Sequence, residues 1–177
     1  MKPTAPNPVK LFCGVLYSDV LLMEQARSEL MAQFGAIDFQ SPVFRFEVSD
    51  YYRTEMGWPI WRLFWSFEQL ILPNQIARIK IACNAIEELL AVANCRKVNL
   101  DPGYMDYDKI VLASAKYNGQ KIYLDLGIYA DLTLRYEKGD YHPFPWSFPD
   151  FRSGEYNRAF LRMRELYKAQ LKKGEHH

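Results

Sequence analysis

The sequence predicts an α+β fold: a ferredoxin-like βαββαβ unit extended by a short helix, a β-meander and a C-terminal helix. Three observations carry this expectation. Val9–Tyr17 is an apolar run rich in β-branched and aromatic residues, as a strand requires. Ile76, Ile79, Cys83, Ile86 and Leu90 recur at spacings of three and four, which places them on one side of a helix. Ile122 to Leu134 alternates with period two around turn residues, the mark of paired strands.

The first strand is followed by Ser18, whose hydroxyl suits a helix N-cap, and then by Met23, Ala26, Leu30 and Phe34 at helical spacing. Helix one is therefore expected over 19–34, ending at Gly35. Val43 to Val48 alternates as a strand, and 50–59 reads as a loop. Trp61 to Phe67 alternates as a third strand, although Ile60, Phe64 and the pair Trp61, Trp65 also fit a helical spacing of four. Pro73 suits a helix start, so the second long helix is expected over 74–93. Lys97 to Leu100 reads as a short fourth strand that ends in the turn sequence Asp101-Pro102-Gly103.

Beyond it the expectation is a short helix over 106–116 and a three-stranded meander over 120–145. A three-residue turn at 125–127 would place Tyr123 opposite Tyr129 and Lys121 opposite Asp131. His142 to Arg152, rich in proline and aromatics, should be extended and laid over the core, with Trp146 mostly buried against this chain or a second copy. Ser153 then caps a last helix over 154–172, with Tyr156, Phe160, Met163 and Tyr167 inside and a basic outer face. Residues 1–8 read as a flexible lead-in, 9–173 as one domain and 174–177 as a tail in which His176 and His177 are native or remain from a tag.

Composition narrows the function classes. The 177 residues carry 22 Lys and Arg against 21 Asp and Glu, so no global charge draws the chain to nucleic acid or to an anionic membrane. No apolar run reaches the roughly 18 residues of a membrane span, so no membrane partner is expected. Cys13, Cys83 and Cys95 form no C-x-x-C pair, which argues against a disulfide framework and a zinc site and favours reduced thiols in the cytoplasm. There is no G-x-G-x-x-G and no P-loop, hence no flavin or NAD motif, and no G-x-S-x-G elbow. His142 is the one histidine outside the terminus, leaving no His pair for haem, metal or a triad. Carboxylates, Lys, Arg or Tyr must carry whatever chemistry there is.

Two polar segments are candidate sites. The first, 50–57, offers Asp50, Tyr52 and Glu55, residue types that hold a ligand or a hard cation; the same residues serve equally as a capped turn over the core. The second, 99–104, offers Asn99, Asp101 and Tyr104 at the carboxyl end of a strand, where ordinary Asx-turn chemistry also accounts for Asp101. Lys116 and Arg152 would face anionic groups. A small phosphorylated or anionic ligand is the first expectation, with Mg²⁺ on Asp50, Glu55 and Asp101 as its cation-assisted form. The second is RNA stacked on an open sheet face bearing Phe12, Phe64 and Arg62, without an RNP1 pattern. The third is an interaction protein that grips a partner, or a stacked base, with the arm at 143–152. Whether the chain is an enzyme, and its oligomeric state, are left open.

The segments KLFCGVLYS (10–18), DYYRTEMG (50–57), NLDPGY (99–104), VLASAK (111–116), LGIYADLTL (126–134) and PWSFPDFR (145–152) resemble a prokaryotic family known only as a domain of unknown function. The resemblance spans almost the whole chain. It implies a prokaryotic cytosolic protein in which the family domain is the entire product, and it implies no particular activity. Asp131 stands where the family pattern has Glu, which shortens the reach of that carboxylate.

Overall fold

The structure is a computed structural model and describes residues 1–47 and 52–174. Its centre is one antiparallel sheet. The first strand, β1 (Val9–Tyr17), lies between β4 (Trp61–Ile71) and β5 (Val98–Met105). Outside β4 lie β2 (Ile37–Gln40) and β3 (Phe44–Arg45). Beyond β5 come β6 (Lys109–Ser114) and β8 (Ile128–Glu137), and β8 also carries β7 (Ile122–Asp125) and β9 (Asp140–Pro143).

Side-chain parity on the central strands sorts two cores. Leu11, Cys13 and Val15 of β1, Leu63, Trp65 and Phe67 of β4, and Val98 and Leu100 of β5 face α1 (Val20–Phe34) and α3 (Ile76–Leu89). Phe12, Phe64 and Met105 face the other way, where Phe151 and Phe160 cover them. Phe151 belongs to a short helix, α4 (Pro149–Arg152), and Phe160 to the long terminal helix α5 (Asn157–Gly174). The parity expected for Phe12, Phe64 and Arg62 therefore holds, but the face is not open. Both phenylalanines have no exposed surface, so they cannot stack bases. The aromatic richness of the chain goes largely into this second core, where Phe12, Phe64, Phe151, Tyr156 and Phe160 meet edge to face and stacked.

Several elements differ from the sequence expectation, each for a local reason. Asp19, not Ser18, caps α1 by accepting from Leu22 N–H at 3.0 Å; the Ser18 hydroxyl donates to Met56 O instead. Of the strand expected over 43–48 only Phe44–Arg45 pairs, Val48 lies outside the described residues, and β2 just before it was not foreseen. The loop over 50–59 contains a one-turn helix, α2 (Arg53–Met56). Residues 61–71 are extended, which settles the helical alternative, because burial on both faces suits a central strand. The helix expected over 106–116 is β6. Asp106 Oδ1 accepts from the N–H groups of Asp108 and Lys109 and closes a hairpin that brings Ile110–Leu112 back beside β5.

In the meander Tyr123 does pair with Tyr129, but through a two-residue turn in which Leu126 and Gly127 both have positive φ (55° and 75°), with a register shift just before it. The arm at 142–152 is not extended throughout: β9 leads into a turn and then α4. Trp146 is 42% exposed rather than buried. Its Nε1 donates to Leu132 O at 2.8 Å and its ring stacks on Phe144, so it closes the β8 edge between β7 and β9. The last helix begins at Asn157, and its four expected inner residues, from Tyr156 to Tyr167, are all buried.

The largest departure is at Asp101-Pro102-Gly103. These residues form no turn; they continue β5 alongside β1, with Asp101 opposite Gly14, Pro102 opposite Cys13 and Gly103 opposite Phe12. On its other side β5 meets β6 only from Gly103 to Met105, so the two strands part at Pro102. Proline fits there because its ring nitrogen lies on the edge that has no ladder partner. Gly103 is required by close packing: a Cβ would stand 2.6 Å from both Phe12 Cζ and Val111 O.

Gly103→Ala must push β1 or β6 away. It is expected to destabilise the fold by about 1–3 kcal/mol, read as a lower urea midpoint at unchanged slope.

Candidate functional site

Where β5 and β6 part, β5 exposes a backbone edge inside the protein. Two α3 side chains complete it. Glu87 accepts from Leu100 N–H at 2.7 Å, and Lys80 Nζ donates to Leu100 O at 2.6 Å. Both side chains are buried, and they lie 3.7 Å apart. A buried backbone N–H or C=O without a partner costs about 1–3 kcal/mol, which makes such substitutes for a missing strand necessary.

Around this edge lies a cavity of about 740 Å³. Its walls are the Asn99 and Asp101 side chains of β5, the segment 112–116 at the end of β6, the polar side of α3, Phe46 and Tyr52 before β4, and 148–151 at the start of α4. Arg62 enters from β4. Its guanidinium crosses β1 over Gly14, where a Cβ would stand 3.0 Å from Nη1. Nη1 lies 3.5 Å from Asp101 and Nη2 3.2 Å from Asp150. Arg62 is only 5% exposed, and its Nε has no hydrogen-bond partner. The rings of Phe46, Phe64 and Phe151 surround it at 5.4 to 6.0 Å.

Arg96 organises the adjoining wall. It grips Glu55 with Nε (2.7 Å) and Nη2 (2.8 Å), and its Nη1 donates to Glu87 and Asn99, each at 3.0 Å. Asn99 in turn donates to Asp101 at 2.9 Å. Across the cavity Lys121 pairs with Asp131 at 3.4 Å, the partners expected from the meander, and donates to Ser114 Oγ.

Titration follows these contacts. The Arg96 hydrogen bonds hold the Glu55 carboxyl below its ordinary range. Burial pushes Glu87 up, against the pull of Lys80 and of the Leu100 N–H. Burial works against the Lys80 charge too, but Asp101 and Glu87 outweigh it and keep the ammonium above its usual range. Burial likewise raises Asp131 despite Lys121.

The predicted site residues divide accordingly. Tyr52, Asn99, Asp101 and Lys116 line one cavity. Glu55 does not line it and reaches Asp101 only through Arg96 and Asn99. Asp50 lies outside the described residues. Tyr104 faces the opposite side, against the α1/α3 core, and Arg152 is exposed on α4 outside the cavity lining. Among the described residues no three His, Cys, Asp or Glu side chains gather as a metal shell. Glu55 is chelated by Arg96, and Asp101 stands among Asn99, Arg62 and Lys80, so these two do not fit a Mg²⁺ set.

Sequence reading missed Lys80, Glu87, Arg96 and Asp150 as members of the site, and placed Arg62 on an RNA face instead. One signal existed. Lys80 and Glu87 directly follow the stripe residues Ile79 and Ile86 and are two helical turns apart, so they share one side of α3 at the margin of its buried stripe.

A model of the family "Domain of unknown function (DUF4416)" matches residues 7–167. The chain belongs to the DUF4416 family. Neither a curated protein nor a solved structure matches it. The matched segment takes in every residue that lines the cavity. No helix among the described residues is long and apolar enough to cross a membrane.

Because Glu55 titrates below its ordinary value of 4.5, its ion pair contributes stability above that pH and loses it as pH falls through the lowered value. Glu55→Gln is therefore expected to lower stability by about 1 kcal/mol at pH 7. The gap from the parent should close as urea unfolding is repeated at pH values progressively below 4.5.

Proposed function

We propose that this DUF4416 domain binds a small anionic molecule, a phosphate ester or a carboxylate, in the cavity at the β5–β6 fork. The observation that carries this reading is Arg62. A guanidinium has five N–H donors in a planar fork that matches carboxylate and phosphate. Here it is buried against a cavity, and among the described residues only one N–H of each Nη group has a partner, Asp101 at 3.5 Å and Asp150 at 3.2 Å, so the Nη donors keep bonding capacity for a ligand. A buried charged group left so incompletely bonded is costly in isolation and favourable once an anion completes it. Lys116 adds positive charge on the same wall. A cavity of about 740 Å³ is in the range of small-molecule sites. The carboxylates Asp101 and Asp150, which line the same cavity, pair with Arg62 and fix its orientation.

The setting supports the coarser expectations as well. The sheet order β2-β4-β1-β5 with antiparallel neighbours supports a ferredoxin-like reading of the first half. Three free cysteines, two of them buried, support a reducing, cytoplasmic environment.

Pyrophosphate or citrate at a hundredfold excess over its Kd should stabilise the protein by about 2.7 kcal/mol, on the order of 5–10 °C in Tm. Arg62→Lys keeps the charge but removes the fork and should abolish most of the shift. Lys116→Ala removes one positive charge from the cavity wall and should weaken the shift. A parent Tm unmoved by either anion at 10 mM would overturn the proposal.

A further inference from the structure

Phe148 caps α4 with its backbone, but its side chain belongs to none of the buried core clusters. Its backbone is fixed on both sides. The Ser147 hydroxyl donates to Thr133 O at 2.5 Å, Pro149 opens α4, and Arg152 N–H bonds to Phe148 O at 3.0 Å. The residue is nevertheless 52% exposed, and it lines the same cavity as Arg62. It contrasts with its neighbours in the arm: Phe151 enters the core, Phe144 stacks on Trp146, and Trp146 closes the β8 edge. Lys121 Nζ, held by Asp131, lies 6.0 Å from the Phe148 ring centroid. A phenyl ring on a rigid backbone that stands half in water at a cavity wall is a preorganised stacking surface.

We propose that Phe148 stacks on a planar heteroaromatic ring of the ligand, so that the anionic molecule bound by Arg62 is of the nucleotide type. This rests on the anion site proposed above and adds the second half of the molecule. A bare phosphate would occupy a small part of about 740 Å³, whereas a nucleoside phosphate suits a cavity of that size. Base–aromatic stacking tolerates any base because every base has a π face, so Phe148 by itself selects for a ring and not for one particular base.

Calorimetric titration of the full chain with ribose 5-phosphate, AMP and UMP separates the two halves. Both nucleotides should bind about tenfold tighter than the sugar phosphate, the size of one stacking contact. Phe148→Ala should remove that advantage and leave ribose 5-phosphate binding unchanged, while Phe148→Trp should keep it. Because the ring is half exposed, the alanine variant should melt like the parent, so a loss of binding does not report unfolding. Equal affinity of the parent for all three compounds would overturn the ring-stacking inference and leave the anion site standing. A nucleotide advantage that survives Phe148→Ala would overturn the assignment to Phe148. No binding of any of the three would overturn the nucleotide assignment, and the absence of a pyrophosphate or citrate shift as well would overturn both.

Discussion

The structure turns on a strand edge that is buried without a strand beside it. β5 runs its whole length along β1 but shares only Gly103–Met105 with β6. The backbone of Leu100 therefore faces the interior with no ladder, and Lys80 and Glu87 of α3 must reach it. From that requirement follow the burial of two opposite charges, the recruitment of Arg96 and Asn99 around them, and the empty volume between the diverging strands. A continuous sheet would have satisfied the same groups and left no cavity.

Such a fork is a costly place to put charge, and the chain offsets the cost by matching. Lys80 pairs with Glu87 along α3, and Lys80 with Asp101, Arg96 with Glu55 and Glu87, Arg62 with Asp101 and Asp150, and Lys121 with Asp131 pair across different segments of the chain. Buried pairs of this kind contribute little net stability against apolar packing, but losing one partner strands the other. They hold α3, β4, α4 and the β7–β8 hairpin at fixed distances around the opening. Arg62 is the exception in bond count: it crosses the sheet over Gly14 and arrives with an unused Nε. The same contacts that brace the fold therefore present one donor-rich group to the cavity.

Periodicity read from residues was reliable where a single face is buried over many residues. The α3 stripe and the inner side of α5 follow from it, whereas β1, buried on both faces, was legible as an unbroken apolar run, and the Tyr123–Tyr129 register as alternation around turn residues. Local chemistry misled where tertiary pairing decides. Asp-Pro-Gly is turn-forming in isolation, yet β1 holds it extended because Pro102 needs no donor on the open edge and Gly103 admits Phe12. Lys109–Ser114 lacks a long stripe of either period, so only its pairing with β5 and β8 shows it to be a strand. The polarity of Asn99, Asp101, Tyr52 and Lys116 marked them individually, but their convergence depends on strand order, which no local pattern encodes.

What the sequence determined by itself is the inventory: an α+β chain with aromatics enough for two cores, no phosphate loop, no histidine pair, and membership of a family spanning residues 7–167. What only the tertiary structure decided is which charges meet. Residues 55, 62, 87, 96, 101 and 150 come from several separate segments of the chain, and no local pattern shows which of them pair. They meet because strands adjacent in the sheet are not adjacent in sequence, and because α3 crosses behind β5 where β6 departs. Burial then turns ordinary charges into a network whose partners are obligatory, since an ion removed from water must be matched where it stands.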